Sequence, residues 1–194
     1  MALVFALGNP GERYARTRHN VGWWVADELR RRWRAAPLES PHEYRAWRAA
    51  VEDREHEIVL PSLFMNASGE ALAAWRDRHG LDLEALLVVS DDVYLPVGHV
   101  RLRARGSSGG HRGLESIEAV LGSGDYARLR LGVGASESEP LREHVLETFE
   151  EDEERTMEDA VRTAADAVEL WTREGIRAAM NRFNRRASKE VSES

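Results

Sequence analysis

LVFALGNPGERYARTRHNVGWWVADEL, residues 3–29, sets the architecture of this chain. Apolar Leu3 to Leu7 reads as a buried strand, and the turn residues Gly8-Asn9-Pro10-Gly11 stop it. A helix is expected to follow with Asn20 as N-cap, because Val21, Trp24, Val25 and Leu29 then share one face. Strand, loop and helix in this order open an α/β layer.

The same alternation continues outward from this stretch. Tyr44 to Val51 and Glu57 to Leu60 read as strands around a polar EDREH turn, and Gly69 to His79 as a helix stopped by Gly80. Leu86 to Ser90 is a further buried strand. Val97 to Arg103 is a strand joined by GSSGG to a helix over Gly113 to Leu121, and Ala127 to Val133 is one more strand. Met157, Ala160, Val161, Ala164, Val168 and Trp171 keep helical spacing within Glu150 to Arg173, and a short helix spans Ile176 to Phe183. Alternation of this kind predicts a single-domain α/β sandwich with helices on both faces of one sheet, spanning residues 1–184 and followed by a flexible tail over 185–194. Ligands of such sheets bind beyond the strand ends, so function is expected in the loops there.

Composition narrows the chemistry. With 194 residues and 42% hydrophobic content the chain is large enough for a real core. The N-terminal stretch has no basic region ahead of its short apolar run, and no run approaches membrane-spanning length, which predicts a cytoplasmic protein. With no cysteine, disulfides, thiolate nucleophiles and Cys-ligated metals are excluded. The net charge of −7 opposes indiscriminate nucleic-acid binding. It averages unlike regions, however: acidic residues dominate Glu137 to Asp159, whereas Arg101, Arg103, Arg105, Arg112, Arg128 and Arg130 crowd a preceding segment.

Several residues carry candidate chemistry, each beside a plainer reading. His19 lies between a tight turn and a helix start, among Arg16, Thr17, Arg18 and Asn20, where an exposed imidazole suits proton transfer; a capping or surface role is the alternative. The other histidines offer less. Asp91 and Asp92 follow an apolar run, so one carboxylate stands at a strand end, either orienting an imidazole or opening an Asx turn. Asn9 and Asn66 can donate to a carbonyl or an oxyanion, and Asn66 can equally cap the helix after it. GSSGG, flanked by Arg103, Arg105 and Arg112, can cradle an anion, but lacks the endings of ATP or dinucleotide loops. No HExxH, EF-hand loop, carboxylate-histidine cluster at ligand spacing or Gly-x-Ser-x-Gly elbow occurs, so no metal or cofactor is expected and water is the simplest nucleophile. The run Glu150 to Glu154 reads as a solvated helix start.

Taken in order, ALGNPGERYARTRHNVG, SLFMNASGEAL, DDVYLPVG, GSSGGHRGLESI, ARLRLGVG and AAMNRFN resemble the bacterial peptidyl-tRNA hydrolases from about Leu3 to Asn184. The resemblance implies a monomer with a central mixed, twisted sheet between helical layers. It implies hydrolysis of the ester between a peptide and the terminal ribose of tRNA, with peptidyl-tRNA, through its acceptor arm and CCA end, as partner. It matches His19 to the catalytic base and Asp91 to its supporting carboxylate, Asn9 and Asn66 to amides that hold the peptide and position water, and Tyr14 and Met65 to cleft-lining positions. Arg103 and Arg130 match a clamp on a tRNA phosphate.

The departures from the family pattern are as specific. Arg112 stands where a substrate-contacting asparagine is usual, Ser90 where a histidine is common, and Tyr94 in place of an aspartate, while Ser107 and Ser108 interrupt a glycine run. Arg112 offers donors only, which is compatible with an added phosphate contact or with impaired turnover. The alternative function is therefore a hydrolase-like RNA-binding protein with little or no activity. Joint retention of His19, Asp91, Asn9 and Asn66 favours the enzyme.

Overall fold

The computed structural model describes residues 1–136 and 140–190, the last six by backbone alone. Among the described residues seven strands form one sheet: β1 (Ala2–Ala6), β2 (Ala36–Leu38), β3 (Tyr44–Val51), β4 (Arg54–Pro61), β5 (Leu86–Asp92), β6 (Val100–Arg103) and β7 (Ala127–Gly132). Their order is β2-β3-β4-β1-β5-β7-β6. The centre, β4-β1-β5-β7, is parallel, and antiparallel strands close both edges, so the sheet is mixed.

The alternation of β1 divides the core in two. Ala2, Val4 and Ala6 pack with α1 (Val21–Trp33) and with α5 (Glu151–Glu174) and α6 (Ile176–Glu190), which follow the single-turn α4 (Leu141–His144). Leu3, Phe5 and Leu7 point the opposite way, onto α2 (Ser68–His79) and α3 (Arg112–Leu121). Because successive strand side chains alternate, an unbroken apolar strand demands a helical layer on each face, and the expected three-layer sandwich follows.

The boundaries differ where local geometry departs from pattern. The polar turn is only Glu52-Asp53, both with positive φ, a tight hairpin that starts β4 at Arg54 rather than Glu57. β5 continues through Asp91 and Asp92, which are strand residues and not the start of a loop. β2 escaped the pattern because it is a three-residue edge strand containing Pro37. α6 runs past Phe183 to Glu190; of the expected tail, residues 191–194 lie outside the described residues, as do residues 137–139 at the head of the acidic segment.

Tight approach between α1 and the sheet fixes the loop before it. A Cβ on Gly22 would collide with the Leu7 carbonyl oxygen and come within 3.0 Å of that of Val89. Gly22→Ala should therefore destabilise the fold by about 1–3 kcal/mol, measured as a lower denaturant midpoint, because the colliding atoms are backbone and cannot rotate away. An unchanged midpoint would show that α1 can slide.

Candidate active site

The loop after β1 is held by its own amides. Asn9 N–H donates to Asn20 Oδ1 at 2.8 Å, and Asn20 Nδ2 returns a bond to the Asn9 carbonyl at 2.9 Å. Asn20 thus stands at the N-cap position of α1, but its side chain makes no capping bond and instead closes the loop. The turn itself needs Gly11, whose φ of 107° is costly for any side chain.

Residues 17–19 are clamped from the other side. Arg18 and His19 donate backbone N–H bonds to the carbonyls of Glu147 and Val145, and Thr17 bridges Thr148. The buried Arg18 guanidinium bonds the Val133 carbonyl and, at 2.6 Å, Glu153 Oε2. Glu153 also closes the capping box at the start of α5. Burial alone would raise the Glu153 carboxyl, but the hydrogen bonds from Arg18 and from the Glu150 backbone N–H, with the Arg18 charge, together outweigh it and hold the group below its ordinary range. The acidic run is thus more than a solvated helix start: one member anchors the segment carrying His19.

His19 reaches the end of β5, where its Nδ1 lies 2.8 Å from Asp91 Oδ1. A second imidazole meets the same oxygen: His111 Nε2, also at 2.8 Å. His111 is the N-cap of α3, and its Nδ1 accepts the N–H groups of Gly113 and Leu114. That nitrogen is consequently bare, so Nε2 carries the proton and donates to Asp91. Asp91 Oδ1 then receives N–H donors from both rings, so the neutral tautomer of His19 carries its proton on Nδ1 and keeps Nε2 free to accept. Burial pushes the Asp91 carboxyl up, but the electrostatic attraction of the His19 and His111 imidazoles and their N–H bonds together outweigh it and hold the group well below the usual range.

These side chains line a cavity of about 420 Å³. His19 is less open than its polar neighbourhood suggests, with a side chain only 12% exposed and turned to this cleft. Asn9 Oδ1 accepts the Met65 N–H at 2.8 Å, so its Nδ2 is the amide end left to donate. Asn66 is exposed on the cleft wall and does not cap α2, whose N-cap position is Ala67. Tyr14 and Met65 line the wall as well, Tyr14 packing edge-on against Phe64 with ring centroids 6.2 Å apart. Leu141 and Val145 line the cavity too.

The arginines separate into distinct roles. Arg128 is fully buried, bonded to the carbonyls of Ser107 and Gly124 and paired with Glu118, and belongs to the scaffold. Arg130 lines the cleft but is already engaged, at 3.0 Å from Asp92 Oδ2 and 2.7 Å from the Ser107 carbonyl. Arg103 is not in the cleft. It is exposed on edge strand β6, opposite Arg128, on the face that carries Arg101 opposite Arg130. Arg112 is exposed at the first position of α3 and lines the cleft. Ser90 is fully buried in β5 and does not reach it.

The residue missed from sequence is His111. Its signal was a side-chain acceptor immediately before a helix, a place usually taken by Ser, Thr, Asp or Asn. His19, Asp91 and His111 present donor atoms within 4.8 Å of one another, although no spacing in the chain announces a ligand set. They can hold a metal only after both imidazole N–H protons leave, and the loss at His111 competes with its cap on α3.

Known proteins share this arrangement of elements. The family model described as peptidyl-tRNA hydrolase matches residues 3–192. The chain is 41% identical over 184 residues to a peptidyl-tRNA hydrolase of Syntrophomonas wolfei, covering 95% of this chain and all of the relative. It is 45% identical over 193 residues to one of Roseiflexus castenholzii, covering 95% of this chain and 87% of that one. The crystal structure of peptidyl-tRNA hydrolase from Acinetobacter baumannii superposes with a TM-score of 0.89 at 31% identity, over 95% of this chain and 94% of the other.

Proposed function

This chain belongs to the peptidyl-tRNA hydrolase family, and from that premise we propose that it cleaves the ester joining a peptide to the terminal ribose of tRNA, with His19 activating water. The observation that carries the mechanism is the double donation to Asp91 Oδ1, which leaves His19 Nε2 as an acceptor on the cleft.

Water loses a proton to His19 Nε2 as its oxygen attacks the ester carbonyl carbon. Asp91 favours the imidazolium so formed. The oxyanion develops beside the Asn9 Nδ2 and Asn66 amide donors. On collapse the carbon–oxygen bond to the ribose breaks, and the departing ribose oxygen takes the proton back from His19. A free aminoacyl-tRNA differs by an ammonium group, which a cleft built for a neutral amide must desolvate without an acceptor, and that cost supports discrimination.

Incubation with N-acetylaminoacyl-tRNA and with free aminoacyl-tRNA tests this reading: the first should be cleaved and the second spared. Tight binding of tRNA without cleavage would overturn it in favour of the RNA-binding alternative. That alternative needs neither the bare His19 Nε2 nor the amide donors, and Arg112 at the cleft is the only feature that leans toward it.

We place Arg103 on a tRNA phosphate, outside the cleft, with Arg101 beside it. Arg103→Ala should make the salt dependence of tRNA binding shallower by about 0.7–0.9 in log–log slope, the loss of one phosphate contact. An unchanged slope would remove Arg103 from the interface. No helix among the described residues is long and apolar enough to cross a membrane. We propose a monomer in the cytoplasm, where translation supplies the substrate; a single-chain mass by light scattering is the expected result.

A further inference from the structure

Asp92, next to the catalytic carboxylate, holds two unlike groups at the mouth of the cleft. Its Oδ1 accepts the backbone N–H of Tyr94 at 2.9 Å, and its Oδ2 accepts Arg130 Nη1 at 3.0 Å. One buried carboxylate therefore ties the backbone of an aromatic residue and the side chain of a cation, both of which line the cavity that contains His19.

Tyr94 is 71% exposed. Apart from Met1, the exposed large hydrophobic residues among those described, Phe64, Tyr94, Leu141 and Leu146, all line this cleft. Phe64 packs on Tyr14, and the leucines are aliphatic. Tyr94 makes no ring or cation contact among the described residues, so its faces are open to a ligand. Ser108, Gly109 and Arg130 line the same cleft, and Arg130 on β7 is paired in register with Arg101 of edge strand β6. An open aromatic face beside a cation matches a nucleotide, whose base stacks while its phosphate meets the charge. The contacting rings of Tyr14 and Phe64, with Met65, offer the acyl group an apolar surface in the same cleft.

We propose that Tyr94 is a specificity-determining residue that stacks on the terminal base of the substrate's single-stranded 3′ end, held in place by Asp92 with Arg130 toward the adjoining phosphate. The proposal rests on the tRNA reading above and adds the base as a recognised element. Asp92 is a positioning residue in this account: it touches no substrate and fixes the two groups that do.

The test compares two short single-stranded RNA oligonucleotides carrying the same N-acetylaminoacyl ester, one ending in adenosine and one in an abasic ribose. Wild-type protein should show a KM about 5- to 150-fold higher for the abasic ester, the range that stacking of about 1–3 kcal/mol per base converts to, with kcat little changed. Tyr94→Ala should raise KM for the adenosine ester to the abasic level and abolish the difference between the two. Tyr94→Phe should retain it. A base effect that persists undiminished in Tyr94→Ala, or none in wild type, would overturn the proposal. So would a Tyr94→Ala effect that depends on the acyl group instead of the base. The uncharged oligonucleotides, compared by titration calorimetry, repeat the comparison without turnover. Failure to cleave either ester would count against the hydrolase reading, and the binding comparison would still decide the role of Tyr94.

Discussion

His19→Ala should lower kcat on N-acetylaminoacyl-tRNA by about 10²- to 10⁴-fold, the usual range for losing a positioned general base, while the dissociation constant for tRNA stays near the wild-type value. Binding should survive because the proposed phosphate contacts lie on other elements, with Arg103 on β6 and Arg130 on β7. The fold should survive as well, since His19 contributes one side-chain bond, to Asp91, while the segment is held by backbone bonds and by Arg18. Single-turnover rates with saturating enzyme give the comparison directly. A variant that still cleaves at more than about a tenth of the wild-type rate would assign the base to another group.

Asp91→Asn carries the second large effect, about 10²- to 10⁴-fold in kcat, for a different reason. The amide has nearly the same shape but no charge, so the imidazolium formed at His19 loses its counter-ion and the tautomer is no longer enforced. His111 should hold its orientation in the variant because its Nδ1 remains bound by the Gly113 and Leu114 N–H groups. The same substitution changes stability against pH, with a definite sign. The folded Asp91 carboxyl is held below its ordinary value of 3.8, so it stabilises the fold at neutral pH. That contribution is lost as pH falls below 3.8 and the carboxyl becomes protonated. Asp91→Asn should therefore flatten the acid side of the stability profile, read from denaturant midpoints below about pH 4. A full-rate variant would show that the two imidazoles do not work through the carboxylate.

The architecture was readable because its signals are local. Leu3 to Leu7 is apolar without a break, and only a strand covered on both faces tolerates that. The helical spacing of Met157 to Trp171 likewise reports one buried face, and those residues are buried against the sheet. Elements were misjudged where a signal is short or nonlocal: β2 has three residues, and β4 starts early because Glu52 and Asp53 take left-handed conformations. The site was legible as a set of residue types in order, since His19, Asp91, Asn9, Tyr14, Met65, Asn66, Arg112 and Arg130 all reach one cleft. Arg103 does not, and nothing in its surroundings along the chain distinguished an exposed edge-strand arginine from one in the cleft.

Order and chemistry along the chain, read outward from LVFALGNPGERYARTRHNVGWWVADEL, were thus enough to reach the layered fold, the family resemblance and His19 as a candidate base. The state of that base came from contacts between distant segments. His19 meets Asp91 across 72 positions and Asp91 meets His111 across 20; the proton on His111 is set by a helix cap that local reading assigned to no one, and the one on His19 by Asp91. Tautomers depend on which partners close around a ring, and those partners are chosen by how β5, α3 and the loop after β1 pack together. Periodicity along a chain reports which face of an element is buried; it carries no record of which buried groups will share an oxygen.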